Sequence, residues 1–67
     1  MQLSARNQLS GRITEVKTGP ISTEITMSIN GVDIVSSITT ASAESMDLKV
    51  DDQATAIIKA SSIMIAK

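Results

Sequence analysis

Apolar and polar residues alternate most cleanly between residues 21 and 29. Ile21, Ile25, Met27 and Ile29 fall on one face, and Ser22, Glu24, Thr26 and Ser28 on the other. Period-two alternation rich in β-branched residues is the pattern of a half-buried strand. Asn30-Gly31 follows, and both residues accept positive φ, as a two-residue hairpin turn requires. A return strand is therefore predicted over 32–39, with Val32, Ile34 and Ile38 on one side. Upstream, Leu9, Gly11 and Ile13 alternate with Ser10, Arg12 and Thr14 through a predicted strand at 9–16. Val16 falls out of phase, which predicts a bulge or a strong bend. Thr18-Gly19-Pro20 then punctuates the chain as a turn.

The pattern changes at residue 40. The stretch from Thr40 to Leu48 is rich in Ala and Ser and carries Glu44 early, which predicts a short helix over 40–48 with Thr40 or Ala41 near its N-cap. Asp51-Asp52 predicts a turn, because Asp bonds its own backbone there. Ala54, Ala56 and Ile58 alternate through a predicted strand at 53–59. Ala60-Ser61-Ser62 interrupts, and 63–66 reads as a last short strand. A helix inserted after the third of several short strands gives the expected fold: mainly β, a small OB-like Greek-key barrel of about five strands with one short helix. No internal repeat or linker divides the chain, so one domain is expected over 1–67.

Composition narrows what such a fold can do. At 67 residues, a chain buries only roughly 60% of the surface its unfolded form exposes. Small folds make up the deficit with disulfides, a metal or oligomerisation. The chain has no Cys, His, Phe, Tyr or Trp, which removes disulfides, the common zinc sites and the aromatic side chains that dominate small cores. Self-association is the supplement that remains. Six basic and seven acidic residues give a net charge of −1, unlike the basic surface nucleic-acid binding calls for. Without aromatics there is also no platform on which single-stranded bases stack. The N-terminus carries no secretion-signal pattern, and no apolar run is long enough to span a membrane. A cytoplasmic location is expected.

Catalysis finds no support. The chain has many Ser residues but no His to activate one as a nucleophile, and its carboxylates fall on polar faces or in turns. No enzyme activity is expected. Anion binding fares better. Arg6 and Lys59 are the two cations set among small or polar residues, with neutral donors at Ser4, Asn7, Ser42, Ser61 and Ser62. Small residues let backbone N–H groups approach an anion closely, and Ser42 lies near the predicted helix start, where such groups are free. On the residues alone, a solvated terminus with two solvated cations accounts for the same pattern.

Several segments together resemble the molbindin (Mop) family and its relatives, the TOBE domains. They are Ser4-Ala5-Arg6-Asn7-Gln8-Leu9, the Gly19 turn with Glu24-Ile25, Ile38-Thr39-Thr40-Ala41-Ser42, and Ile58-Lys59-Ala60-Ser61-Ser62-Ile63-Met64. The resemblance runs the length of the chain in order and spacing. It implies an OB-like barrel assembled as a hexamer, a trimer of dimers, that holds molybdate or tungstate at subunit interfaces with no other metal or cofactor. The main site type it implies maps onto Ser4, Ala5, Arg6, Asn7, Ser42, Ala43, Lys59, Ala60 and Ser61. A second type, near a threefold axis, uses the Gly19 turn, here Gly19, Ile21 and Ser22. Pro20 in that turn has no N–H to give. Asp47 and Asp51 stand where the family often has Gly, and Asp tolerates the left-handed region better than most residues. The implied function is a cytoplasmic store or buffer of the oxyanion, without nucleic-acid or membrane partners. The alternative is a molybdate-responsive regulatory or adaptor module acting through a protein partner.

Overall fold

The computed structural model describes residues 6–67. It contains strands β1 (Asn7–Thr18), β2 (Ser22–Ile29) and β3 (Val32–Thr39), helix α1 (Thr40–Ser45), strand β4 (Gln53–Ile58) and a 3₁₀ turn at Ala60–Ser62. The four strands form one antiparallel sheet in the order β3-β2-β1-β4.

β1 organises the sheet because it serves two partners. Its first half, Asn7–Arg12, pairs with β4, and its second half, Arg12–Thr18, pairs with β2. The two partners lie on opposite edges of β1. The register shifts between Ile13 and Glu15, so an extra residue lets both Ile13 and Val16 turn inward. The out-of-phase Val16 is thus the sequence trace of a real bulge. At Gly11, β1 and β2 approach so closely that a Cβ would sit 2.4 Å from the Ser28 carbonyl oxygen and 2.6 Å from Ile29 Cγ1. Only glycine fits there without moving backbone.

The core is aliphatic. Ile13, Ile25, Met27 and Ile29 are buried, with Val16, Ile34, Ile38, Leu48, Ala54 and Ala56 packed around them. Burying such a side chain contributes about 1.5–3 kcal/mol, and few do so fully in this chain.

The turns follow their residues. Asn30 and Gly31 have φ of 50° and 82°, both positive as a type I′ hairpin turn requires. α1 starts at Thr39, whose hydroxyl accepts from the Ser42 N–H at 3.1 Å. The N-cap is therefore one residue earlier than expected, because Thr39 has the side chain that can reach that N–H. The helix also stops earlier, at Ser45 and not near residue 48. Asp47 takes φ 51°, and the N–H groups of Asp47 and Leu48 fold back onto the Glu44 and Ala43 carbonyls, which closes a Schellman cap. In the next turn Asp51 takes φ 77°, Asp52 accepts from the Lys49 N–H at 3.0 Å, and Asp51 and Asp52 bond the backbone of Ile13.

Three further expectations fail. Residues 63–66 form no strand within the chain. After the 3₁₀ turn they meet no sheet edge among the described residues, and Ile63, Met64 and Ile65 stand 46%, 93% and 90% exposed. Ile21 does not share the inner face of β2. It lies in the turn before the strand, exposed, and the next inward position belongs to Thr23. Val32 is also exposed, so Ile34 and Ile38 alone carry the inner face of β3.

The sheet does not close on itself, because β3 and β4 are both edges. Between them opens an apolar groove of about 630 Å³, lined by Ile34, Val35, Ile38, Met46, Ala56 and Ile58 among others. Among the described residues, no helix is long and apolar enough to cross a membrane.

Candidate functional site

β1 and β4 bring the two ends of the chain side by side. Asn7 pairs with Ile58 across the ladder, and its side-chain amide donates to the Ile58 carbonyl at 3.2 Å. Arg6 precedes this rung and Lys59 follows it, both exposed. Lys59 opens the 3₁₀ turn. The Ser62 and Ile63 N–H groups bond back to the Lys59 and Ala60 carbonyls at 2.9 and 3.3 Å. The first N–H groups of the turn, those of Ala60 and Ser61, have no carbonyl within it to bond. Arg6, Asn7, Lys59, Ala60 and Ser61 therefore gather at one end of β1. Ser4 and Ala5 lie outside the described residues.

Charge is segregated to match. Residues 1–14 and 53–67 contain Arg6, Arg12, Lys59 and Lys67 and no Asp or Glu, while all seven carboxylates fall between Glu15 and Asp52. The β1–β4 ladder joins the two acid-free segments. Arg12 is paired with Asp51 at 2.6 Å, Lys17 with Glu15 at 3.2 Å and Lys49 with Asp47 at 3.2 Å. Among the described residues, Arg6 and Lys59 make no ion pair. An overall charge of −1 hides this cationic end, and simple counting along the sequence would have found it.

Ser42 and Ala43 sit elsewhere. α1 packs against β2 and β3, and its start is tied to the Thr18–Thr23 end of β1. Within one chain they are thus separated from the Lys59 segment by the length of β1. Ala43 is buried, so only its backbone can face a ligand. The Ser42 hydroxyl accepts from Thr39 at 2.8 Å, which leaves its own O–H to donate outward. The helix start offers fewer free N–H groups than expected. The Ser42 N–H is taken by Thr39 and the Thr40 N–H by the Ile21 carbonyl at 2.8 Å, which leaves that of Ala41 in the first turn.

The Gly19 turn is also largely committed. The Gly19 N–H bonds the Ser22 carbonyl at 3.0 Å, and Pro20 has no N–H. Ile21 and Ser22 are exposed beside it. A small cleft of about 140 Å³ near α1 is lined by Thr18, Thr23, Thr40, Glu44 and Asp47, and its two carboxylates disfavour an anion.

Three residues with roles here escaped the sequence reading: Thr39 as cap, and Thr23 and Thr40 as a buried hydroxyl pair. Thr39-x-x-Ser42 has capping spacing, and Thr23 falls in the buried phase of β2, so both signals were present.

Residues 3–65 match the TOBE domain family. The chain is 41% identical to molybdenum-pterin-binding protein 3 of Clostridium pasteurianum over 66 residues, covering 97% of each chain. It is 36% identical to a probable molybdenum-pterin-binding protein of Haemophilus influenzae, over 97% of this chain and 96% of that one. It is 39% identical to the molybdenum transport protein ModE of Herbaspirillum seropedicae, of whose length it spans only 24%. Its fold matches a molybdate-binding protein from Sporomusa ovata with a TM-score of 0.97 at 33% identity, over the whole of both chains. It also matches the cytoplasmic molybdate-binding protein ModG with molybdate bound, with a TM-score of 0.85 at 36% identity, over 90% of this chain and 43% of that one. The chain thus belongs to the TOBE-domain family of molybdenum-pterin-binding (Mop) proteins.

Proposed function

We propose that residues 1–67 form one domain that binds molybdate or tungstate as the free oxyanion and stores or buffers it in the cytoplasm, without catalysis. The observation that carries this reading is the acid-free end of the sheet. There Arg6 and Lys59 flank the Asn7–Ile58 rung and, among the described residues, pair with no Asp or Glu. Beside Lys59 the Ala60 and Ser61 N–H groups open the 3₁₀ turn. A tetrahedral dianion matches a cation set next to paired backbone donors, and it brings no proton that would need an acceptor.

Ser42 and Ala43 join this site from a different subunit, because the two groups lie at opposite ends of β1 within one chain. Ser4 and Ala5 complete the N-terminal side. The assembly is a homo-oligomer, a hexamer built as a trimer of dimers. Its support is the uncovered apolar groove between β3 and β4 together with the exposed Ile63, Met64 and Ile65. A second site type at Gly19, Ile21 and Ser22 keeps an Ile21 N–H and a Ser22 hydroxyl as its donors. The match to a quarter of ModE favours a second reading, in which the same domain reports molybdate to a protein partner.

Isothermal titration with molybdate, paired with native mass spectrometry, tests the site. Losing one charge-assisted hydrogen bond weakens binding by about ten- to a hundredfold. Lys59→Ala is expected to do so with the oligomer intact, while Arg6→Ala disturbs assembly at least as much as affinity. Unchanged affinity in assembled Lys59→Ala removes Lys59 from the site.

A further inference from the structure

Among the described residues, the two most buried polar ones are Thr23, at 0% exposure, and Thr40, at 9%. Their hydroxyls lie 2.8 Å apart. The Thr40 Oγ1 is also 2.6 Å from the Gly19 carbonyl oxygen, to which it donates. A hydroxyl has one proton. With that proton on Gly19, Thr40 must accept from Thr23, so the hydrogen bonds run in one direction from β2 through α1 to the turn. The Thr40 N–H adds a second tie, to the Ile21 carbonyl at 2.8 Å. One residue thus fastens the first turn of α1 to the Gly19–Ser22 turn at two points, next to Thr39, which caps the helix and orients the Ser42 hydroxyl.

We infer that Thr40 is a positioning residue for oxyanion binding, acting through Ser42, and that Thr23 orients its hydroxyl. The inference rests on the proposed role of Ser42 in the site. Neither hydroxyl is exposed enough to meet the ion. Their effect is to hold the α1 start at a fixed place relative to the turn, so that donors from different subunits converge on one point. Buried hydroxyl pairs act this way because each unmet bond is costly, and the alternatives to the native arrangement are removed. Thr40→Val keeps shape but leaves the Gly19 carbonyl and the Thr23 hydroxyl without their partner, so the α1 start is held to the turn only by the residue-40 N–H on the Ile21 carbonyl.

The test is titration of wild type, Thr40→Val, Thr40→Ser and Ser42→Ala with molybdate and with sulfate, at a temperature where native mass spectrometry shows each assembled. Thr40→Val is expected to bind molybdate about three- to tenfold more weakly, the span of one lost hydrogen bond, and to discriminate less against sulfate. Thr40→Ser is expected to restore both. A merely structural hydroxyl would lower the melting temperature without moving the affinity of the assembled protein. Wild-type affinity in assembled Thr40→Val, with Ser42→Ala weakened, overturns the positioning role and leaves the site standing. Absence of molybdate binding in wild type overturns both. Should Thr40→Val fail to assemble, Thr23→Val carries the test, since it keeps the Thr40–Gly19 bond and removes only the hydroxyl that aims it. Weaker binding with an intact oligomer then supports the role, and unchanged binding overturns it.

Discussion

Gly11→Ala should destabilise the protein through a single methyl group. An alanine Cβ at this position would lie 2.4 Å from the Ser28 carbonyl oxygen, whereas ordinary contact begins at 3.4 Å. The gap to be made up is about 1 Å, the difference of those two distances. The obstructing atom is backbone, held in the β1–β2 ladder by the Arg12–Ser28 pairing, so no side-chain rotation relieves it. Ile29 Cγ1, at 2.6 Å, can move only by disturbing a buried core side chain. Overpacking of this kind costs about 1–3 kcal/mol, against a gain of about 0.4–1 kcal/mol from the lower entropy of the unfolded alanine chain. At mid-range, about 2 against about 0.7 kcal/mol, the net loss is about 1.3 kcal/mol, and each kcal/mol lowers the melting temperature by about 4–8 °C in a domain of this size. Denaturant midpoints from circular dichroism, at one fixed protomer concentration because assembly adds a mass-action term, measure it. Gly31→Ala serves as the comparison of mechanism: nothing lies within 4 Å, so no contact is strained, and its cost of about 1–2 kcal/mol comes from the φ of 82° alone. A Gly11→Ala midpoint equal to wild type would show that β1 and β2 do not approach this closely.

Asp47→Ala should lower stability by about 1 kcal/mol while Asp47→Gly does not, because φ at this helix stop is 51° and only Gly or an Asx residue accepts it cheaply; equal midpoints for the two variants would contradict this. Thr39→Ala should cost about 1 kcal/mol as a lost N-cap and also weaken molybdate binding by freeing Ser42; a change in stability with no change in affinity would detach Ser42 from the site. Deleting residues 64–67 should shift the native mass toward smaller species at micromolar concentration, since Met64 and Ile65 are almost fully exposed in the lone chain; an unchanged oligomer would exclude the tail from the interface.

The sequence made the local structure plain and the long-range structure partly so. Asn30-Gly31, the alternation of β2 and the phase break at Val16 each encode a backbone event within a few residues, and each appears where its pattern lies. The helix boundaries were less accurate, because Thr39 and Thr40 compete for the cap and only the reach to the Ser42 N–H decides between them. The strand expected at 63–66 has an apolar pattern but no partner among the described residues, and a pattern of apolar residues does not say which molecule covers it. The candidate site divides in the same way. Arg6 and Lys59 were legible as cations among small residues, but their adjacency came from the Asn7–Ile58 rung. That rung joins residues 51 apart in sequence, beyond the reach of any periodicity.

That separation also orders the events of folding. The β2–β3 hairpin closes through Asn30-Gly31 alone, and such hairpins form within about 1–10 μs. The rung between Asn7 and Ile58 must wait until a loop of 51 residues has been drawn in, and its entropy is lost before any contact repays it. The cationic end is therefore expected to zip up last and to open first. On the proposed function, an anion held across it meets only the finished chain, so it should leave the folding rate nearly unchanged and act almost wholly by slowing unfolding. On that proposal, release of the oxyanion and local fraying of β1 from β4 become the same motion.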